Sequence, residues 1–511
     1  MTDWTAGYVA DIGYTFGYYL ELNPLRVKLG FLNAGLSCPE FGTACELGFG
    51  QGLSTNIHAA AAITQWSGTD FNPSQAGFAQ ELAAVAGSDA KLFDQAFDEF
   101  ASRTDLPEFD YIGLHGIWSW ISDDNRAVIV DFIRRKLKVG GVLYVSYNTQ
   151  PGWAAMVPMR DLLTEHSEVM GASGQGIVPR IDAALDFAEK LFATNPTYAK
   201  ANPQIADRVR KIKEQNRNYV AHEYFNRDWE PMSFADMGRW LEPAKLGFAA
   251  SANYLDYVDA VNLTVEQQTL LKEIPDEMFR QTVRDFMVNQ QFRKDYWVRG
   301  ARKMTALEQA EGLRAQKVIL TSHRPDVSLK VAGSIGEATL SEGIYNPILD
   351  ALADHKPKTL GQLELAVKGK EIVFAQLTQA ILILAGAGHV YAVQDDAAIT
   401  KVKKRTDKLN AHLLQKARSS GDITYLASPV TGGGVTVSRF PQLFLLAIHQ
   451  GKKHPTEWAQ FAWQLLTAQG QRILKDGKTL DAAEDNLAEL TSQAEAFAQK
   501  QLPILKALQI A

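Results

Sequence analysis

The feature that most constrains this chain is a turn of three glycines set between an apolar run and an alanine-rich one. It reads Ala44-Cys45-Glu46-Leu47-Gly48-Phe49-Gly50-Gln51-Gly52-Leu53-Ser54. A short strand, a tight glycine turn and a helix open a parallel-sheet unit, because a chain returning parallel to its first strand needs a helical crossover. Glycines at that junction permit positive φ angles and let the backbone approach a ligand at the carboxyl end of the sheet, where open α/β sheets bind. The spacing is not that of a dinucleotide cradle. In Gly-x-Gly-x-x-Gly the third glycine falls one position later, and Glu46 sets a carboxylate where a pyrophosphate needs bare amides.

The pattern that follows keeps the same logic. Strand-like runs over residues 43–47, 65–69, 90–93, 111–114 and 142–146 alternate with helical runs over 54–63, 73–86 and 124–137. The last of these stops at Lys138-Val139-Gly140-Gly141, a basic last turn followed by glycine. A helix, a glycine turn and one more strand over 233–254 complete the sheet, so the α/β core is predicted to be discontinuous, over residues 1–153 and 231–260. Residues 154–230 read as a helical insertion of mixed charge. Residues 261–335 read as a helical middle region, with Phe292-Arg293-Lys294-Asp295-Tyr296-Trp297 inside it. Residues 336–511 read as an α+β C-terminal domain that begins with three helices and a strand in winged-helix order and continues as helices. Its segment 375–384 is too apolar to lie in a DNA groove.

Composition narrows the function classes. At 511 residues with 46% hydrophobic content, the chain can bury several cores. Its 52 basic and 58 acidic residues give a net charge of -6, which offers no basic excess to nucleic acid or anionic lipid. Two cysteines, Cys38 and Cys45, cannot make a disulfide framework or a cysteine-rich zinc site. The opening Met1-Thr2-Asp3-Trp4 has no basic or apolar signal region, and the uncharged stretch from Ile372 to Gln394 is interrupted by polar residues and glycines, so a helix followed by a strand is expected there instead of a membrane span. A soluble, cytoplasmic protein is expected.

Two more strand ends carry candidate ligand contacts. Asp70, with Phe71 after it, ends the second strand 22 residues beyond Gly48, where a carboxylate can accept both hydroxyls of a ribose. Phe97 and Asp98 follow the third strand, where a ring and a carboxylate can sandwich an adenine and accept from its amine, although Asp98 also reads as a helix-capping aspartate.

On these positions the sequence resembles the class I S-adenosylmethionine-dependent methyltransferases. Phe109-Asp110-Tyr111-Ile112-Gly113-Leu114-His115-Gly116-Ile117-Trp118-Ser119-Trp120 and Ser146-Tyr147-Asn148-Thr149-Gln150-Pro151-Gly152-Trp153 resemble bacterial members that carry a methyltransferase regulatory domain. His222-Glu223-Tyr224-Phe225-Asn226 and Leu426-Ala427-Ser428-Pro429-Val430-Thr431-Gly432 extend the likeness over most of the chain. The group includes the rickettsial protein-lysine methyltransferases, which have a core, an inserted dimerisation region, a middle domain and a C-terminal domain. The resemblance implies a Rossmann-like class I methyltransferase core, S-adenosylmethionine as cofactor with S-adenosylhomocysteine as product, and a homodimer. It puts Glu46, Gly48, Phe49, Gly50 and Gly52 at the cofactor with Asp70 and Phe71. Phe97, Asp98, His115, Gly116 and Trp118 join them. One departure lies in the N-terminal lid, where Tyr14-Thr15-Phe16-Gly17-Tyr18-Tyr19 and Asn23-Pro24 replace the family's Pro-Tyr pair and His-Pro.

A sulfonium is already activated, so methyl transfer asks for alignment, a dry site and a neutral nucleophile. A lysine acceptor, with a pKa near ~10.4, has to lose a proton first, and desolvation among aromatic rings favours that. Tyr14, Tyr18, Tyr147 and His115 are the catalytic candidates, with Trp118, Trp120, Asn148 and Trp153 around them. No metal is expected: His222-Glu223 lacks a second histidine ligand, since Asn226 stands in its place, and the pair reads as structural. The acceptor is expected to be a protein lysine. A small molecule or surface glycan is the alternative acceptor, and a catalytically silent regulatory or binding protein is the alternative class.

Overall fold

The computed structural model describes residue 5 and residues 7–172 and 174–511; the opening Met1-Thr2-Asp3-Trp4 lies outside the described residues. A seven-stranded sheet organises the chain. Its strands are β1 (Thr43–Leu47), β2 (Gln65–Thr69), β3 (Lys91–Phe93), β4 (Phe109–Leu114), β5 (Leu137–Asn148), β6 (Leu246–Ser251) and β7 (Phe292–Arg299), in the spatial order β3-β2-β1-β4-β5-β7-β6. The first five run parallel, and β7 lies antiparallel to both β5 and β6. The strand order reverses between β1 and β4, which opens a crevice at their carboxyl ends.

Sequence-level caps set the flanking helices α1 (Pro24–Asn33), α2 (Leu53–Ala61), α3 (Pro73–Ala86), α4 (Phe97–Ala101) and α5 (Asp123–Lys136). Asn72 caps α3 from its side chain and Gly87 closes it in the left-handed region. Ser122 caps α5, whose first turn is acidic and last turn basic, as the helix dipole favours. The expected glycine stop after α5 is absent: Lys138 to Gly141 already belong to β5.

The largest correction concerns β7. Residues 261–335 do not form a helical region throughout, because Phe292–Arg299 is a strand inside the main sheet and Lys317–Leu320 pairs with Lys358–Thr359 and Val390–Val393 in a second, three-stranded sheet. The charges in β7 disguise it. Arg293 and Asp295 sit two residues apart, hence on one face, and are both buried: Arg293 donates to Asp295 at 2.8 Å and to Asp285 at 2.6 Å. Lys294, on the other face, reaches Glu21 at 2.6 Å. Paired in this way, a run that reads as a mixed-charge helix face becomes a central strand.

Between β5 and β6 lie α6 (Val157–Val169), α7 (Ile177–Ala193), α8 (Thr197–Ala201), α9 (Gln204–Glu214) and α10 (Arg217–Tyr224), built around a core of their own that includes Met159, Leu163, Ile181, Leu185 and Val209. Downstream, helices Glu342–Leu352, Leu360–Ala366 and Phe374–Gly386 cover the small sheet. The helix Asp396–Lys416 and the hairpin Tyr425–Ser428/Gly433–Thr436 pack on α2 and share its hydrophobic core. Among the described residues no helix is long and apolar enough to cross a membrane.

Candidate active site

The turn after β1 holds Gly48, Gly50 and Gly52 at φ of 73°, 57° and 66°. These are left-handed conformations that cost a residue with a Cβ roughly 1–2 kcal/mol. Space adds to the constraint at Gly48, where a Cβ would stand 2.4 Å from Ile117 Cδ1, and at Gly52, where it would meet Ala79 Cβ of α3 at 2.4 Å. Gly52 thus serves helix packing. At Gly50 a Cβ would meet nothing nearer than the Tyr14 ring, at 3.4 Å.

Asp70 ties this turn to the end of β2. One carboxylate oxygen accepts from the Gly50 amide at 2.8 Å and the other from the Asn72 amide at 3.0 Å. Burial pushes the Asp70 carboxyl up to about 7 against the pull of those two amides. Each oxygen keeps acceptor capacity for a further donor. Glu46 is fully buried beneath the turn, accepts from the Thr55 hydroxyl and is pushed up to about 8 by burial. It supports the turn from below and does not line the cavity.

That cavity, about 280 Å³, opens over the crevice. Gly48, Phe49, Gly50, Asp70 and Phe71 line it from the first two strand ends, and Phe97, Asp98, His115 and Gly116 from the next two. Asp98 is not the cap of α4. The Glu99 carboxylate accepts from the Ala96 amide at 3.0 Å and performs that task, leaving Asp98 on the cavity wall.

The opposite wall comes from the N-terminal segment and the stretch after β4, with Tyr8, Tyr14, Tyr19, Ile117, Trp120 and Asp228. The Gln51 side-chain amide donates to the Tyr14 carbonyl at 3.2 Å. The Tyr14 and Tyr19 hydroxyls face each other, and burial pushes Tyr14 up to about 12 and Tyr19 well above its ordinary value, so both phenols stay neutral. Tyr19 stacks on His115 with ring centroids 3.5 Å apart and 18° between planes. His115 Nδ1 lies 2.8 Å from the Tyr144 hydroxyl, and burial lowers the imidazole to about 3, so this histidine is a neutral hydrogen-bonding ring.

Besides Glu46, Gly52 and the buried Asn148, four further sequence expectations lie away from the cavity. Tyr147 is fully buried on the face opposite Tyr144, three residues away along the strand, and donates to Asp295 at 2.9 Å. Tyr18 is packed between His58 and Tyr425 and against Gly433 and Gly434, where a Cβ would strike its hydroxyl and its ring respectively. Trp118 is fully buried, with its indole donating to the Met232 sulfur at 3.2 Å, while its neighbour Trp120 lines the cavity. Trp153 belongs to the core of the helical insertion. Sequence reasoning missed Tyr8, Tyr19, Gln75, Gln95 and Asp228. For Tyr19 a signal existed: adjacent tyrosines in an extended segment face opposite ways, so only one of Tyr18 and Tyr19 can reach the site.

Residues 216–299 match the family model of a predicted methyltransferase regulatory domain. The Synechocystis sp. protein sll1526 is 41% identical over 512 residues, covering 99% of each chain. The Rickettsia prowazekii protein RP028 is 29% identical over 37% of this chain and 76% of its own. Among solved structures, that of PKMT2 from Rickettsia typhi in complex with AdoHcy superposes with a TM-score of 0.67 at 18% identity, covering 95% of this chain and 98% of that one. It shares the fold.

Proposed function

The chain belongs to one family with the Synechocystis protein, a family of class I methyltransferases that carry a methyltransferase regulatory domain, and from that premise we propose that it N-methylates lysine side chains of a protein, with S-adenosylmethionine as donor. The observation that carries the reading is the convergence of the glycine turn, Asp70 and Asp98 from three successive strand ends on one cavity. The residues present fit the cofactor. Asp70 has acceptor capacity left for ribose hydroxyls, Phe97 and Asp98 offer a ring and an acceptor to an adenine, and the turn leaves no room for side chains at Gly48. When bound, the cofactor supplies an electrophilic methyl group on a sulfonium.

The rest is the work of this chain. Tyr8, Tyr14, Tyr19 and Trp120 give the acceptor side of the cavity aromatic walls, which exclude water and lower the cost of a neutral amine. Neutral His115, stacked under Tyr19, holds that wall without adding a competing positive charge. Resemblance to the rickettsial protein-lysine methyltransferases supports the choice of lysine. Association of two copies through the helical insertion, where Val169, Met170 and Phe187 are exposed, belongs to the same reading.

The test is transfer of labelled methyl groups from S-adenosylmethionine into a bacterial lysate, followed by total hydrolysis. Label in methyl-lysine supports the reading. Label confined to small molecules or glycans overturns it.

A further inference from the structure

A second cavity, about 320 Å³, lies at the edge of the main sheet, where the end of β6, the start of β7 and the helices Val265–Glu273 and Glu277–Val288 meet. It shares no lining residue with the crevice, and all of its lining falls within residues 216–299, the stretch that matches the regulatory-domain model. Its volume falls within the roughly 300–1,000 Å³ usual for small-molecule sites. The charged residues that line it are Asp256, Asp259, Lys272, Arg280, Arg284 and Arg293. Arg293 is engaged by Asp285 and Asp295, at 2.6 and 2.8 Å. The others make no ion pair among the described residues, either with one another or elsewhere.

What holds these side chains in place is neutral. Arg280 donates from Nε to the Ile274 carbonyl at 3.0 Å and from Nη2 to the Pro275 carbonyl at 3.2 Å. Arg284 Nη2 donates to the backbone carbonyl of Asp256 at 2.7 Å and not to its carboxylate, which accepts instead from the Ser251 hydroxyl at 2.6 Å and the Asn253 side-chain amide at 2.8 Å. Lys272 and Asp259 are exposed, and their side chains make no hydrogen bond among the described residues. Acids and bases thus surround one space without closing on each other. Charges drawn partly out of water are ordinarily paired, so opposite charges kept apart in this way leave a place for a molecule that carries both signs. Phe248, Leu263 and Leu271 add apolar surface to the same cavity, which an apolar body would cover.

We propose that this cavity binds a free α-amino acid with an apolar side chain, its carboxylate received by Arg280, Arg284 and Lys272 and its ammonium by Asp256 and Asp259. It is a ligand site of the regulatory segment, separate from the methyl-transfer crevice, and it does not depend on which acceptor the crevice methylates.

The test is calorimetric titration of the full chain, saturated with S-adenosylhomocysteine so that the crevice is filled, with three probes of one shape: L-phenylalanine, 3-phenylpropionate, which lacks the ammonium, and phenethylamine, which lacks the carboxylate. L-phenylalanine should saturate one site per chain, and each single-ion probe should bind more weakly by roughly ten- to a hundredfold, the scale of a lost hydrogen bond to a charged group. Arg284→Gln and Asp256→Asn should each weaken L-phenylalanine on that same scale. Because both residues also hold local backbone, Lys272→Gln and Asp259→Asn repeat the comparison on exposed side chains whose loss leaves the fold intact, and each should weaken L-phenylalanine severalfold. S-adenosylhomocysteine affinity should stay at the wild-type value in all these variants. The inference is overturned if L-phenylalanine does not bind the loaded protein, if either single-ion probe binds as tightly, or if its affinity is unchanged in every variant. Failure of S-adenosylhomocysteine itself to bind would overturn the cofactor assignment instead.

Discussion

Gly50 and Asp70 are joined by a 2.8 Å hydrogen bond from the backbone amide of the one to a carboxylate oxygen of the other, so the ligand-facing turn after β1 and the acid at the end of β2 are a single mechanical unit. A ligand that engages Asp70 therefore acts on the turn as well.

Asp70→Ala removes both the acceptor and the tie. Hydrogen bonds to a charged group contribute about 1.5 to 3 kcal/mol, and affinity for S-adenosylhomocysteine should fall roughly ten- to a hundredfold. Calorimetry on the folded variant measures this. Unchanged affinity would move the ribose contact elsewhere.

Gly48→Ala should harm the protein more than Gly50→Ala. Both carry positive φ, but only at Gly48 does a Cβ collide, 2.4 Å from Ile117, so overpacking of about 1–3 kcal/mol adds to the backbone strain. Thermal melts with and without S-adenosylhomocysteine would rank them, and equal Tm values would contradict the geometry.

Tyr147→Phe should lower stability while leaving turnover and cofactor affinity near wild type. The Tyr147 hydroxyl serves buried Asp295, which Arg293 continues to hold, so the loss falls near the lower end of the 1.5 to 3 kcal/mol range. Tyr19→Ala should do the reverse, lowering turnover by removing the stack on His115 and one aromatic wall of the cavity. Matching kinetic losses in both variants would return Tyr147 to the site.

The first six strands, and the placement of Gly48, Gly50, Asp70 and Asp98 on the cavity, were legible because each is a local pattern: apolar runs, caps and glycine at strand ends. β7 was not, since its charges are paired across the sheet and with Asp285, contacts that only the tertiary structure supplies. The choice between neighbouring aromatics failed for the same reason. Tyr18 and Tyr19, or Trp118 and Trp120, are equivalent in composition, and only the face each presents decides which one meets the cavity.

Stability of the ligand-free protein should fall as pH rises from about 6.5 to 8.5. Glu46 and Asp70 are raised by burial to about 8 and about 7, so in this window the folded state binds protons that the unfolded chain, with ordinary carboxyls, does not. Their contribution is full at low pH and is lost on passing the folded values. His115, lowered to about 3, acts with the opposite sign but only below its ordinary pKa near ~6.5, outside the window. Glu46→Gln should flatten the slope, which cannot exceed about 1.4 kcal/mol per pH unit per group. Denaturant melts across the window check it, and a slope unaltered by the substitution would place the raised proton affinity elsewhere.

The central claim, that this crevice is an S-adenosylmethionine site and not a dinucleotide site, is tested most directly by calorimetric titration of the wild-type protein with S-adenosylhomocysteine and with NAD. S-adenosylhomocysteine should saturate one site per chain with a Kd on the order of micromolar, about 8 kcal/mol of binding free energy, and NAD should give no heat. Saturable binding of NAD with no response to S-adenosylhomocysteine would contradict it.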